Sequence, residues 1–216
     1  MTKPLIAVLD YGIGNLSSAQ KALVRSGADA RLTSDAAMAR DAAGVVLPGV
    51  GAFGACMDAL RGAGLEDVVH EAVESGKPFM GICVGMQMLF DSSDEDPSAR
   101  GLGVIPGIVR SIPAHVRRPQ MQWNELRITP SAADDPLVTG LPATPWVYFV
   151  HSYAAVPVDQ SVVAATCNYG ADLTAVVRRS NVVATQFHPE KSAVDGLAML
   201  ANFVGSCSVE REGRIS

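Results

Sequence analysis

The chain reads Pro-Phe-Met-Gly-Ile-Cys-Val-Gly-Met-Gln-Met-Leu-Phe from Pro78 to Phe90. Its first part is a short apolar run, typical of a strand buried in a parallel sheet, and the part after Cys83 predicts a helix. Gly81 and Gly85 leave room for a tight, strained turn between the two elements. This Gly-x-Cys-x-Gly pattern is the cysteine version of the nucleophile elbow of α/β hydrolases, so the stretch predicts an α/β fold.

Cys83 is therefore a candidate nucleophile. At such a turn the side chain projects from the sheet edge, and the N-terminus of the following helix favours a thiolate. The free amides there are also suited to hold an oxyanion. A cysteine in an apolar stretch is often a simple core residue, but the two glycines do nothing for an ordinary buried strand and favour the nucleophile.

A second motif supplies partners for this thiol. The strand-like run 182–187 leads into His188-Pro189-Glu190, and residues two apart in an extended segment point to the same face. His188 and Glu190 would then project together, as a base and the carboxylate that orients it. Taken alone, this His-x-Glu pair is better explained as an incidental ion pair at a solvated strand end. Combined with Cys83, it predicts a Cys-His-Glu catalytic triad.

Strands and helices alternate in the first half of the chain. This order implies right-handed crossovers and a three-layer αβα core with a mainly parallel central sheet. Ser34 is the expected N-cap of the second helix. The predicted elements are strands at 5–9, 30–32 and 45–47 and helices at 16–24, 34–40, 54–61 and 65–75.

Between about residues 100 and 186 the sequence pattern changes, with more prolines and several strand-like pieces. Alternating apolar and polar residues predict antiparallel strands that extend the sheet, and a last helix should pack on the core. The strand-like pieces lie at 124–128, 146–149, 161–166 and 173–178, and the expected core face of the helix comprises Val194, Leu197, Ala198, Ala201 and Val204.

Composition limits the class of protein. The 216 residues are 48% hydrophobic and 18% charged, which predicts a single domain over 1–206 followed by a polar tail over 207–216. A net charge of -5 argues against nucleic acid or an anionic membrane as the main partner. The four cysteines show no metal-binding spacing, and no export signal or membrane-spanning run is evident, so free thiols and a cytoplasmic location are expected.

Two glycine-containing loops follow predicted strands. The loop 12–17 resembles a dinucleotide fingerprint, but it ends in Ser17 and lacks an acidic ribose partner, so nucleotide binding is discounted. The loop 48–54 is richer in glycine. Its backbone amides can approach a small ligand at the carboxyl edge of the sheet, where Cys83 should also lie, although a plain turn is the simpler interpretation.

Taken together, these motifs resemble a class I (triad) glutamine amidotransferase, and more narrowly the glutaminase subunits of imidazole glycerol phosphate synthase. The similarity runs from about residue 5 to 205. It is carried by the stretches 81–87, 188–190 and 48–51, and further by 10–16, 123–124, 151–153 and 191–192.

The resemblance implies an enzyme that hydrolyses L-glutamine and passes ammonia to a (β/α)8 cyclase subunit in a heterodimer, without metal or other cofactor. Cys83 would attack the amide, His188 would move protons and Glu190 would hold His188. The residues implied around the substrate and oxyanion are Gly49, Val50, Gly51, Val84, Gln87, Ser152 and Tyr153. Asn15, Trp123 and Lys191 would face the cyclase.

One stretch departs from the family pattern. The family commonly has Pro-His-Met-Gly-Trp-Asn where this chain has Pro-Gln-Met-Gln-Trp-Asn over 119–124. The added glutamine at 122 brings bulk and removes easy access to positive φ at the expected subunit contact. Two alternatives stay open: a glutaminase that serves another synthase, and a non-hydrolytic α/β scaffold, against which the intact His188 and Glu190 pair argues.

Overall fold

The structure is a computed structural model and describes residues 2–14 and 16–209. Its helices largely occupy the predicted places, and two short crossover helices lie between the third and fourth strands. The helices are α1 (Leu16–Arg25), α2 (Ala36–Asp41), α3 (Phe53–Gly62), α4 (Glu66–Glu74), α5 (Val84–Gln87) and α6 (Ala193–Val209).

The strands follow the predicted alternation in the first half and multiply in the second. They are β1 (Leu5–Leu9), β2 (Asp29–Thr33), β3 (Gly44–Gly49), β4 (Phe79–Cys83), β5 (Ser92–Ser93), β6 (Asp96–Arg100), β7 (Gly107–Ser111), β8 (Gln120–Glu125), β9 (Arg127–Ile128), β10 (Trp146–His151), β11 (Tyr153–Pro157), β12 (Val163–Asn168), β13 (Asp172–Arg179) and β14 (Val182–Thr185).

An eight-stranded sheet in the order β2-β1-β3-β4-β14-β13-β12-β9 forms the centre of the molecule. In this sheet, β2, β1, β3, β4 and β14 run parallel to one another. The other three strands, β13, β12 and β9, pair antiparallel. Every residue of β3 and β4 is buried, so this part of the sheet is covered on both faces. The predicted mainly parallel sheet with an antiparallel extension is confirmed.

Two smaller sheets complete the fold. Strands β10 and β8 form a two-stranded antiparallel ribbon, and β11, β7, β5 and β6 form a four-stranded sheet. The sequence patterns did not predict β5, β6 or β7, because their short, half-exposed segments lack a clear apolar period.

The carboxyl ends of the parallel strands meet at one edge of the sheet. Four chain segments leave the sheet there: the loop after Leu9, the loop after Gly49, the turn at Cys83 and the segment after Thr185. The widely separated motifs of the sequence are therefore neighbours in space, as the parallel order requires.

Several local predictions are wrong. Asp35, not Ser34, caps α2, since its carboxylate accepts from the Ala37 amide at 2.8 Å. The helix after Cys83 ends at Gln87 instead of Phe90. Beyond it, the amides of Leu89 and Phe90 bond to carbonyls three residues earlier, and the chain turns into the β5–β6 hairpin.

The last helix also differs from prediction. Val194 is 77% exposed, and the buried face carries Met199, Leu200, Phe203 and Cys207 beside Val204, which was predicted correctly. The helix continues through the predicted boundary at 206, and Cys207 is 1% exposed, because its thiol packs near Gly44 at the start of β3. Residues 210–216 of the predicted tail lie outside the described residues. Within the described ranges, no helix is long and apolar enough to cross a bilayer.

Backbone contact between the elbow and β3 makes Gly85 indispensable. A Cβ at Gly85 would lie 1.9 Å from the Leu47 carbonyl oxygen, and neither backbone group can move without separating β3 from β4. We expect Gly85→Ala to lower the free energy of unfolding by about 3 kcal/mol, the upper end of the usual cost of overpacking, measured by urea denaturation.

Gly205→Ala is the matched control for this change. Gly205 lies inside α6, and a Cβ there would meet nothing within 4 Å. The same substitution should stabilise the protein by about 0.5–1 kcal/mol, because alanine favours a helix interior. Equal effects at the two positions would contradict the close-contact explanation.

Candidate active site

Cys83 occupies a strained turn between β4 and α5. Its φ is 55° and its ψ is -112°, a conformation that non-glycine residues rarely adopt. Its neighbours impose the conformation, since Gly81 and Gly85 approach each other to a distance at which a Cβ on Gly81 would lie 2.9 Å from the Gly85 carbonyl. The side chain is 4% exposed and reaches a cavity.

The segment that carries His188 is a turn instead of the extended strand end expected from the sequence. Residues Pro189–Lys191 form one turn of 3-10 helix, and His188 precedes it with extended backbone. The two side chains still meet, because His188 Nδ1 lies 2.8 Å from Glu190 Oε1. Both side chains are almost entirely buried, at 3% and 5% exposure.

The electrostatics favour a protonated His188. Burial by itself would lower its pKa, but the neighbouring Cys83 and Glu190 side chains outweigh this effect and raise the pKa to about 9. His188 is therefore an imidazolium at neutral pH. The helix after Cys83 has only four residues, so it offers the thiol less of the helix-terminus charge than the sequence led us to expect.

The cavity beside Cys83 has a volume of about 270 Å³. Predicted site residues account for most of its lining: Val50, Gly51, Cys83, Val84, Gln87, Ser152, Tyr153 and His188. Gly49 and Glu190 lie behind this wall, together with Lys191, around a much smaller void. The structure thus brings Cys83 and His188 to one cavity and places Glu190 behind His188.

Four lining residues were not predicted: Glu95, Pro119, Val150 and His151. Glu95 precedes β6, and one of its carboxylate oxygens accepts from the Phe53 amide at 2.8 Å. No sequence pattern marks it, because it stands in an acidic run typical of a solvated loop. His151 had a signal, since it directly precedes Ser152 in the quoted 151–153 motif.

Two buried side chains form hydrogen bonds with main-chain carbonyls of the loop after β3. The Tyr11 hydroxyl donates to the Pro48 carbonyl at 2.5 Å, and the Cys56 thiol contacts the Val50 carbonyl at 3.2 Å. Burial raises the pKa of both groups, so each remains a proton donor. These bonds fix the carbonyls of Pro48 and Val50, the residues that flank Gly49, and Val50 lines the cavity.

Two of the three residues predicted to face a partner lie in the described part of the chain, and both are exposed. Trp123 is 43% exposed and makes an edge contact with Tyr148 at 5.9 Å, and Lys191 is exposed. Asn15 lies outside the described residues. The outer face of the β8–β10 ribbon adds Met121 and Trp146, which are 61% and 47% exposed.

Comparison with known sequences gives a consistent result. Residues 7–207 match the family described as glutamine amidotransferase class-I. The imidazole glycerol phosphate synthase subunit HisH of Rhodopirellula baltica is 46% identical over 201 residues, which are 92% of this chain and 96% of that protein. The subunit of the same name from Synechococcus elongatus is 50% identical over 205 residues, 93% of each chain.

Solved structures agree at the level of the fold. A crystal structure of a glutamine amidotransferase superposes with a TM-score of 0.74 at 24% identity, over 94% of this chain and 99% of that one. PurLQS from Thermotoga maritima gives a TM-score of 0.74 at 20% identity, with the same coverage. The chain therefore belongs to the class-I glutamine amidotransferases and, within them, to the HisH subunits of imidazole glycerol phosphate synthase.

Proposed function

We propose that this chain hydrolyses L-glutamine at Cys83 and delivers the ammonia to a (β/α)8 cyclase subunit with which it forms a heterodimer. The observation that carries the proposal is that Cys83 and His188 line one cavity, while Glu190 lies behind it with a hydrogen bond of 2.8 Å to His188. We also assign the protein to the cytoplasm, a reducing compartment that suits cysteines which form no disulfide within the described part of the chain.

The reaction starts from the ion pair of thiolate and imidazolium. The Cys83 sulfur attacks the side-chain carbonyl carbon of glutamine, and the carbonyl oxygen becomes an oxyanion. His188 then donates its proton to the nitrogen as the C–N bond breaks, which releases ammonia and leaves a thioester. In the second half, His188 takes a proton from water, the resulting hydroxide attacks the thioester, and glutamate and the thiolate are released.

Glu190 keeps the imidazole in position throughout. Its carboxylate accepts the Nδ1 proton of His188, so Nε2 is the nitrogen that faces the reaction. The oxyanion would be held by the main-chain amides of Val84 and of the loop at Val50, since both residues line the cavity with Cys83. Each such donor is worth about 2.7–4 kcal/mol to the transition state.

The polar groups of the cavity suit the amino-acid end of the substrate. The Gln87 amide nitrogen is committed to the Tyr153 carbonyl at 3.1 Å and to Gln186 Oε1 at 3.0 Å, so Gln87 offers the cavity its oxygen. Glu95 brings a carboxylate to the same cavity. Two acceptors favour an ammonium group, and Ser152 and Tyr153, which also line the cavity, would contact the rest of the substrate.

A partner on the outer face of the β8–β10 ribbon could act directly on the base. The His188 amide donates to the Tyr148 carbonyl at 3.2 Å, and the Ser192 hydroxyl links the Tyr148 amide to the His188 carbonyl. Tyr148 also contacts Trp123 on the exposed face. A partner docked on Trp123 can therefore shift Tyr148 and, through its hydrogen bonds, the segment that carries His188. This is a physical route for activation by the cyclase.

Replacement of the nucleophile tests the proposal most directly. Cys83→Ala should abolish glutamine hydrolysis, while the complex should still use added ammonia. A glutamine-like electrophile should label Cys83 and spare Cys56, Cys167 and Cys207, which are at most 1% exposed, as read by peptide mass spectrometry. Normal hydrolysis by Cys83→Ala, or labelling mainly at another cysteine, would refute the proposed mechanism.

The proton balance of His188 predicts a pH profile. Because its pKa is raised to about 9, the acid form is available at neutral pH and is lost as the pH rises through about 9. We expect kcat/KM for glutamine to fall in that range. Glu190→Gln should move this alkaline limb to lower pH, because it removes one of the groups that raise the pKa.

The two triad variants should also differ in size of effect. His188→Ala removes the proton carrier, at a cost of about 10²–10⁴-fold in rate, and Glu190→Gln should cost less. A larger loss for Glu190→Gln, or a profile that stays flat to pH 10, would contradict the assigned division of roles.

Activation by a partner is the third expectation. The isolated chain should hydrolyse glutamine slowly, and the cyclase with its nucleotide ligand should raise the rate by orders of magnitude, since ammonia released without an acceptor is wasted. Trp123→Ala should weaken the complex about 30-fold or more, as expected for an aromatic hot spot, measured by calorimetric titration.

Val158→Ala is the control, because Val158 is 78% exposed but lies outside the ribbon. Full activity of the isolated chain would contradict the expected activation by the cyclase and leave the assignment as a glutaminase in place. Activation by a different synthase, with no response to the cyclase, would favour the alternative partner.

A further inference from the structure

A chain of buried hydrogen bonds lies beneath the substrate cavity and extends well beyond the triad. It begins at Gln120, the first residue of β8, which has no exposed surface. The Gln120 amide lies 2.9 Å from His151 Nε2, and His151 Nδ1 lies 2.8 Å from the Tyr153 carbonyl. The ring of His151 therefore bridges the partner-facing strand and the wall of the cavity.

The chain continues from there to the nucleophile. The Tyr153 carbonyl also accepts from Gln87 Nε2 at 3.1 Å, and Gln87 Nε2 donates further to Gln186 Oε1 at 3.0 Å. Gln186 Nε2 in turn lies 3.9 Å from the Cys83 sulfur. The orientation of each amide is thus tied to that of the next.

The chemistry of His151 assigns the direction of these bonds. A main-chain carbonyl can only accept, so the ring nitrogen that faces Tyr153 carries a proton. Burial lowers the pKa of His151 to about 4, and the ring is therefore neutral near pH 7. Its other nitrogen, Nε2, must be an acceptor, and the group that faces it must be a donor.

This requirement decides which end of the Gln120 amide faces the ring. With Oε1 toward His151, two acceptors would meet, and Nε2 would be buried without a hydrogen-bond partner. Rotation of the amide by 180° exchanges its oxygen and nitrogen at no cost in space. Nε2 then donates to His151, and the oxygen faces the Cys167 thiol that the Gln120 side chain contacts.

Cys167 completes the series as a donor. The residue has no exposed surface, and burial raises the pKa of its thiol to about 12, so the proton stays on the sulfur. Donors then run in one direction, from Cys167 to Gln120, from Gln120 to His151 and from His151 to the Tyr153 carbonyl. This assignment gives the buried Gln120 nitrogen, which otherwise has no hydrogen-bond partner, the acceptor on His151.

We propose that Gln120 and His151 are positioning residues for the substrate, which hold the Tyr153 main chain and, through it, the Gln87 amide in the geometry that binds glutamine. The proposal rests on the proposed function, because the cavity they support is the proposed glutamine site. Gln120 also starts the strand whose outer face carries Met121 and Trp123. The same strand thus contacts the partner on one face and orders the substrate cavity on the other.

The first test reads the tautomer of His151 and needs no activity. In the full chain labelled with ¹⁵N-histidine, His151 should show a protonated Nδ1 and an unprotonated Nε2 near pH 7, with the signals assigned by their loss in His151→Asn. In Gln120→Glu, a carboxylate that can only accept should make the ring doubly protonated. A wild-type ring protonated at Nε2 alone would overturn the proposal.

The second test separates positioning from folding. In the complex with the cyclase, Gln120→Met keeps the size of the side chain but removes both hydrogen bonds, and we expect KM for glutamine to rise about five- to tenfold with kcat within about twofold. Gln122→Met is the matched control, since Gln122 lies on the same strand but is exposed. Synthesis from added ammonia should be unchanged in both variants.

The outcomes distinguish this proposal from the proposed function. An unchanged KM in Gln120→Met, or an equal rise in Gln122→Met, would overturn the positioning role while glutamine hydrolysis by the wild type stands. Absence of glutamine hydrolysis in the wild type would instead refute the proposed function, and with it the substrate assigned to this cavity. If Gln120→Met fails to fold, the wild-type tautomer and the Gln120→Glu spectrum still decide the direction of the hydrogen bonds.

Discussion

The close approach of two backbone segments, at the elbow and at the end of β3, underlies the whole site. A Cβ on Gly85 would overlap the Leu47 carbonyl, and one on Gly49 would lie 2.7 Å from the Gly85 amide. Because glycine permits this contact, Cys83 and the loop after β3 lie side by side. The strain at Cys83, with φ of 55°, is sustained by the same packing.

The second organising feature is the β8–β10 ribbon, which uses its two faces for different purposes. The outer face exposes Trp123 and Met121, while the inner face buries Gln120 and His151. Since side chains alternate along a strand, a shift of register by one residue would exchange these faces and lose both roles. A contact made on the outside is therefore one residue away from the hydrogen bonds that order the cavity.

Much of the fold was predictable because buried parallel strands have a simple signature. The apolar runs at β1, β3 and β4 and the glycines around Cys83 are local features, and they predicted the sheet and the elbow without knowledge of contacts. The errors lie where local pattern and tertiary packing disagree. Cys207 sits in a polar stretch but is buried by α6, and Val194 has the spacing of a core residue but faces solvent.

The sequence by itself determined the class of fold, the family and the residue types able to act as nucleophile, base and carboxylate, since these depend on short-range spacing and on motifs of a few residues. Only the tertiary structure decided how they meet. It replaced the expected strand at His188 with a 3-10 turn, brought Glu95 and His151 to the cavity, and buried Gln120 against His151. Hydrogen bonds between residues 31 to 103 positions apart carry no local signature, and so their directions follow from the fold alone.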